Sequence, residues 1–167
     1  MNEFKPLKYS ETITEESNIV EKNGILELAK AFLSIEGMTH KKLQKLCYYA
    51  KAWYLAINDE NLINDNFEAW IHGAVQPELY QKYKAFGYQA IPMYTGSVLN
   101  IPETFLSFAR EVFSIYGKYS GDELEKINHQ EKPWLNARKN LKPWESSNTI
   151  ISEKDMKEYY RSLMENE

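Results

Sequence analysis

The feature that most restricts the fold is the helical spacing of apolar residues in the first half of the chain. Residues 39–58 show it best, where one stripe is formed by Leu43, Leu46, Cys47, Ala50, Trp53, Tyr54 and Ile57. Intervals of three and four place these side chains on one side of an α-helix. The same spacing recurs before Gly37 at Ile25, Leu28, Ala29 and Phe32. The pattern predicts an αα-hairpin, with helices at 19–35 and 39–58 and Thr39 as the cap of the second.

Further helix signals follow along the chain. Prolines at first-turn positions, Pro77 and Pro102, predict a third and a fourth helix that end near Gly87 and Gly117. The capping-box pattern from Ser120 to Glu123 predicts a short helix. Another short helix is predicted from Pro133, and a last one capped by Ser152.

Two stretches do not fit a helix. Phe67 to Val75 and Ile91 to Leu99 carry β-branched and aromatic residues between Pro or Gly, and are the candidates for short strands. We therefore expect a mainly α fold, a compact bundle of six to seven helices with at most a small β element. A length of 167 residues fits one domain. The polar residues 1–18 predict a flexible N-terminal arm, which leaves 19–167 as the single domain.

Composition excludes several classes of function. The net charge of −4 supplies no positive field for nucleic acid or an anionic membrane, so both are disfavoured as partners. One cysteine, Cys47, permits neither an intrachain disulfide nor a thiolate zinc site. The chain has no apolar run long enough to span a membrane and no signal-peptide pattern near its start. We expect a cytoplasmic protein.

Motifs for catalysis or for cofactor binding are absent from the sequence. His40, His72 and His129 lack the spacing of a helical metal site, and the chain has no Gly-rich phosphate loop. We predict no metal, no cofactor and no enzymatic activity. One alternative is a small enzyme in which His129, Glu131 and Arg138 share a cleft. The other interpretation of these residues is a helix junction in which Arg138 pairs with Glu131.

The second helix also carries large side chains away from its apolar stripe. At 100° per residue, Lys45 and Tyr48 lie close to Lys41 on the opposite side of the helix, and Tyr49 lies between the two sides. Two interpretations follow: a second layer of this domain covers the rings, or they form a surface for a partner. A stacking platform for single-stranded nucleic acid is a weaker third interpretation in an acidic chain. The two Lys-Pro-Trp triplets, 132–134 and 142–144, have unlike flanks and are interpreted as coincidence rather than repeats.

Three motifs in order resemble the SocA/GepA-like antitoxin family, whose domain is also named Panacea. They are K-L-Q-K-L-x-Y-Y-A at 42–50, A-W-x-x-G-x-V-x-P-E-L-Y at 69–80 and H-x-x-x-P-W-x-x-A-R at 129–138. The likeness extends over about residues 19–165. Ala74 stands where the family usually has proline, and Asn128 where it usually has threonine. The motif residues to which the resemblance assigns structural roles are Leu43, Leu46, Trp53, Gly73, Pro77, Tyr80, His129, Pro133, Trp134 and Arg138.

The resemblance implies an antitoxin that neutralises a cognate toxin, encoded next to it, by direct protein binding. A related alternative is a proteolytic adaptor that delivers the toxin to an AAA+ protease. It also implies a bacterial or phage-associated protein without enzymatic activity. The residues that we predict to contact the partner are Lys41, Lys45, Tyr48, Tyr49, Trp70 and His72.

Overall fold

Helix α2 is the central element, and helices from both halves of the chain pack against it. In the computed structural model, which describes residues 24–165, seven α-helices and one short hairpin are formed. The predicted N-terminal arm, residues 1–18, lies outside the described residues. The elements are α1 (Ile25–Leu33), α2 (His40–Asn58), β1 (Glu68–Trp70), β2 (Gly73–Val75), α3 (Pro77–Tyr83), a 3₁₀ turn (Lys84–Phe86), α4 (Glu103–Tyr116), α5 (Gly121–Asn128), α6 (Lys132–Arg138) and α7 (Glu153–Glu165). The prediction of a mainly α fold with six to seven helices and a small β element is confirmed.

Three predicted helix starts are confirmed by their caps, whereas α1 begins at Ile25 rather than at residue 19, and Pro102 lies just before α4 rather than in its first turn. Thr39 Oγ1 accepts a hydrogen bond from Lys42 N at 3.3 Å at the start of α2. Ser120 and Glu123 form the reciprocal capping box of α5, which satisfies amides that a helix leaves free in its first turn. Ser152 Oγ accepts from Asp155 N at 3.2 Å at the start of α7.

The first of the two predicted strand regions is an antiparallel hairpin. Strand β1 pairs with β2 in the register Glu68–Val75, Ala69–Ala74 and Trp70–Gly73. Backbone bonds from the segment before α7 cover the other edge of β1, through Ala69 N to Thr149 O and Ile151 N to Phe67 O. The outer edge of β1 is therefore paired, although each strand of the hairpin has only three residues.

The second predicted strand region, Ile91 to Leu99, is wrong as a strand. Ile91 forms only an isolated antiparallel bridge with Met38 in the linker between α1 and α2. Pro92 follows at once and has no N–H for a ladder, and the linker is too short to offer further partners. The rest of the segment is irregular.

Both sides of α2 are covered, which corrects the prediction that part of it faces a partner. Tyr48 and Tyr49 are fully buried, and Lys45 is 1% exposed. Tyr160 of α7 covers both tyrosines, with ring centroids 6.3 Å from Tyr48 and 6.2 Å from Tyr49. Tyr116 of α4 stacks on Tyr49 at 4.2 Å. The covered second layer is thus the interpretation that the fold supports.

Candidate functional site

Side chains from helices seal the outer edge of strand β2. The Gln44 amide on α2 donates to Gln76 O at 3.0 Å and accepts from Gln76 N at 2.8 Å, as a neighbouring strand would. Asn128 Oδ1 on α5 accepts from Ala74 N at 2.7 Å. Lys45 Nζ donates to Ala74 O at 3.2 Å. The hairpin is thereby fixed to α2 and α5, although an isolated two-stranded hairpin is only marginally stable.

The two positions that depart from the family motifs contact each other. Proline has no N–H, so an acceptor facing position 74 is needed only when another residue stands there. Here Ala74 supplies a buried N–H, and the Asn128 side chain accepts it. Asn128 therefore satisfies the buried N–H of Ala74, and the turn keeps its hydrogen bonds.

Gly73 and Lys45 make the closest approach between the hairpin and α2. Gly73 has φ +99°, and a Cβ built there would lie 2.5 Å from Lys45 Cε and 2.7 Å from Asn128 Oδ1. Glycine is required for both reasons, since other residues rarely adopt this φ and no space remains for a side chain. Burial of Lys45 under the hairpin lowers the pKa of its ammonium group to about 7.

The hairpin turn brings together the predicted partner residues that stay accessible. His72 is exposed, and its Nδ1 lies 2.6 Å from Glu125 Oε1. Lys41 Nζ lies 3.7 Å from Glu125 Oε2 and 2.9 Å from Asp122 Oδ1. Together with Trp70 these residues form what we name the hairpin-turn surface, defined as Lys41, Trp70, His72, Asp122 and Glu125.

Trp70 gives the hairpin-turn surface its aromatic part. It is half-buried at the end of β1, and its Nε1 donates to Glu68 Oε1 at 3.0 Å. Tyr80 of α3 packs edge-on against Trp70, with centroids 5.0 Å apart, and against His40 at 5.9 Å. The ring is therefore held in one orientation, while part of it remains accessible.

Beneath this surface lies a buried cluster of tyrosines around one carboxylate. Glu131 Oε1 accepts from Tyr49 Oη at 2.6 Å, from Tyr160 Oη at 3.2 Å and from Asn128 Nδ2 at 3.3 Å. Burial raises the pKa of Glu131 to about 7, despite these three donors. Burial also raises the pKa of Tyr49 well above its usual range. The cluster ties α2, α5 and α7 to the start of α6.

His129, Glu131 and Arg138 each have separate partners, which leaves the predicted shared cleft and the predicted Arg138–Glu131 pair without support. His129 stacks on Trp134 with centroids 4.2 Å apart. The Arg138 guanidinium donates to three backbone oxygens, those of Ala69, Lys142 and Glu145. The predicted helix junction is present between α5 and α6, but the predicted Arg138–Glu131 pair is wrong. Arg138 instead donates to backbone oxygens of β1 and of the loop that follows its helix.

The other motif residues hold the framework. Leu43 and Leu46 are fully buried in the core. Trp53 is nearly buried and donates from Nε1 to Tyr116 Oη at 2.8 Å. Pro77 and Pro133 lie in the first turns of α3 and α6, as predicted. Trp134 Nε1 donates to Trp70 O at 2.9 Å, so α6 is attached to the strand that bears the hairpin-turn surface.

Sequence reasoning missed several residues that build the site. Gln44 and Glu125 gave no signal of their own, because a single polar residue within a helix is ordinarily solvated, and Asn128 was noted only as a departure from the motif. Gln44 lies within a motif of the family, which was the available hint. Trp144 was also missed: it lies 70% exposed in the second Lys-Pro-Trp triplet, whereas Trp134 of the first triplet is buried.

Within residues 24–165, no group of three or more His, Cys, Asp or Glu side chains is placed to hold a metal ion. No helix in that range combines the length and the apolar character that crossing a bilayer requires.

Comparison with known protein families assigns the chain. The model of the family described as "Antitoxin SocA-like, Panacea domain" matches residues 43–135, just over half of the chain. This protein belongs to the SocA-like Panacea family. The matched range includes most of α2, the whole hairpin and the start of α6, which together position the hairpin-turn surface and the Glu131 cluster. No curated protein and no solved structure matches the chain.

Proposed function

We propose that this Panacea protein is the antitoxin of a toxin–antitoxin pair, and that it neutralises a cognate toxin encoded next to it by direct protein–protein binding. The observation that carries the proposal is the match to the antitoxin SocA-like family over residues 43–135. Four of the five residues of the hairpin-turn surface lie within that range, and Lys41 immediately precedes the first motif.

The hairpin-turn surface has the chemistry of a protein-binding site. A tryptophan held edge-on by Tyr80 contributes contact area at little cost in side-chain entropy. Lys41 and His72 stand beside two carboxylates, so charges of both signs are available for complementary pairing. Backbone and side-chain bonds to α2 and α5 hold this surface in place, which lowers the entropy cost of binding.

In this proposal neutralisation is steric and needs neither catalysis nor a cofactor. The bound antitoxin covers the toxin's active surface in the cytoplasm. Inhibition at nanomolar affinity corresponds to about 12 kcal/mol of binding free energy, which a few anchors commonly supply. We propose this mode in preference to delivery of the toxin to an AAA+ protease.

Co-expression with the product of the adjacent reading frame tests the function. We expect that product to arrest growth alone and the wild-type protein to restore growth. His72→Ala should weaken binding about fivefold or more, because it removes a proposed contact with the toxin. The side chain is exposed in the free protein, so its loss should leave the fold intact. Tyr88→Ala, at a fully exposed ring in another loop, is the matched control and should leave binding unchanged.

Two outcomes would contradict the proposal. The antitoxin function fails if the adjacent product is harmless alone or remains toxic beside the wild-type protein. The steric mode fails if the toxin's half-life shortens when the protein is present and recovers in a strain without the protease. Measurement of toxin half-life by pulse labelling separates these two results.

A further inference from the structure

A buried arginine holds an exposed loop next to the hairpin. Arg138, which is 3% exposed, donates to Ala69 O at 3.0 Å, Lys142 O at 3.1 Å and Glu145 O at 2.5 Å. Its guanidinium carbon lies 4.8 Å from the centre of the Trp134 ring. The guanidinium, fixed on one side to β1, therefore binds both ends of a turn at residues 142–145. We name residues 139–145 the Arg138-held loop.

Further hydrogen bonds order this loop from within. Lys142 N donates to Glu145 Oε2 at 2.7 Å, and Glu145 N donates to Lys142 O at 3.0 Å. Leu141 N donates to Arg138 O at 3.0 Å. A loop with this many internal bonds is already in a single conformation before a partner arrives, so little conformational entropy is lost on binding.

The ordered loop presents apolar side chains to solvent. Trp144 is 70% exposed and Leu141 is 40% exposed, and Leu135 on the preceding helix is also exposed. Lys142 Nζ lies 5.4 Å from the centre of the Trp144 ring, which remains largely accessible. Tryptophan on a rigid support is the residue type most enriched among the dominant contacts of protein interfaces.

Charge indicates what kind of surface the loop fits. Lys139 and Lys142 are exposed in the same loop as Trp144, and the carboxylate of Glu145 is bonded to the Lys142 amide. The loop is therefore locally basic on a chain whose net charge is −4. A partner that complements it offers an apolar pocket with carboxylates around it.

We propose that Trp144 anchors the toxin, entering an apolar pocket that acidic residues surround, with Leu141 and Lys142 as neighbouring contacts. The inference rests on the proposed antitoxin function and adds a second contact region to it. Arg138 and Trp134 attach α6 to Ala69 and Trp70 of β1, the strand that leads into the hairpin-turn surface.

The affinity of the purified adjacent toxin for variants of the loop tests the inference. Trp144→Ala should weaken binding about 30-fold or more, as expected for an anchor. Lys142→Glu should lower the association rate about tenfold at low salt, with a smaller effect at high salt. Tyr88→Ala and Lys118→Glu are the controls; Lys118 is exposed and lies 5.2 Å from the Tyr119 ring, so it matches Lys142 in its surroundings. Both controls should bind as the wild type does.

The outcomes distinguish the two proposals. If the wild-type protein does not bind the toxin, the antitoxin function fails and this inference fails with it. If the wild type binds and Trp144→Ala binds within twofold of it, only the inference is overturned. Vesicles of phosphatidylcholine and phosphatidylglycerol test a lipid role: vesicle binding that Trp144→Ala abolishes, with toxin binding intact, would assign the loop to a membrane instead.

Discussion

Glu131 illustrates how one buried group joins distant parts of the chain. Its Oε1 atom accepts three hydrogen bonds, from Tyr49, Tyr160 and Asn128. The remaining oxygen and the negative charge lie in an environment that is 6% exposed. Burial therefore favours the protonated carboxyl in the folded protein, with a pKa of about 7 in place of 4.5.

Replacement of Glu131 by Gln should change how stability depends on pH. The unfolded chain releases the Glu131 proton above pH 4.5, whereas the folded protein retains it until about pH 7. The folded state thus binds more protons in this window, and its stability falls as pH rises through it, by roughly 3 kcal/mol in total. Glu131→Gln keeps the accepting oxygen and has no charge to desolvate, so this loss should vanish.

Urea unfolding at pH 4.5 and pH 8 measures the effect. At each pH, the free energy of unfolding of the wild type is subtracted from that of Glu131→Gln. This difference should be roughly 3 kcal/mol larger at pH 8 than at pH 4.5. Glu60→Gln, at an exposed position, is the control and should track the wild type at both pH values. An equal difference between Glu131→Gln and wild type at the two pH values would contradict the assignment.

At the scale of elements, the hairpin depends on helices that lie far from it in sequence. Strands of three residues are too short to be stable alone, and here Gln44, Lys45 and Asn128 supply the partners that a third strand would give. The turn is possible only because Gly73 leaves room for Lys45 beneath it. The hairpin-turn surface therefore inherits its geometry from α2 and α5.

Gly73→Ala should destabilise the protein by about 3 kcal/mol. An alanine at position 73 would have to adopt a positive φ, and its Cβ would clash with the Lys45 and Asn128 side chains. Gly87→Ala is the control, because Gly87 also has a positive φ but a Cβ there would have open space. It should cost about 1 kcal/mol, the backbone strain alone. Urea unfolding measures both, and similar losses for the two variants would show that contact with Lys45 does not matter.

At the scale of the whole molecule, the last helix completes the packing around α2. Helix α7 packs along α2 and covers the side that carries Tyr48 and Tyr49. Lys51, fully buried on α2, reaches Glu153 Oε1 at the start of α7 at 3.1 Å. Arg161 Nε donates to Ala56 O at 2.9 Å near the other end. The domain is closed by contacts that span more than a hundred positions.

A chain ending at Ile151 should therefore lose cooperative unfolding. Without α7, both tyrosines and Lys51 would be exposed on α2, and Glu131 would lose the Tyr160 donor. A chain ending at Glu165 retains the whole of α7 and is the control. Thermal unfolding followed by circular dichroism should show a single transition for the control and none for the shorter chain. A retained transition in the shorter chain would show that α2 needs no second layer.

Local patterns in the sequence predicted most of the elements. Apolar spacing placed α2 to within a residue, and the capping residues Thr39, Ser120 and Ser152 have the predicted roles. These features were accessible because caps and helix faces depend on residues a few positions apart. The motif order likewise predicted the family. The strand prediction at 91–99 was wrong because pairing depends on a distant partner segment, which there offers only Met38.

The sequence by itself determined where most of the helices lie, where the hairpin lies and to which family the chain belongs. Only the tertiary structure decided which large side chains reach the surface. A helical period reports the face that packs first, but α2 is enclosed on both sides, and Tyr160 covers Tyr48 from 112 positions away. Trp144 stays exposed in a loop that the buried Arg138 holds against β1. Exposure is a property of the assembled fold, since the residues that cover a side chain come from elsewhere in the chain.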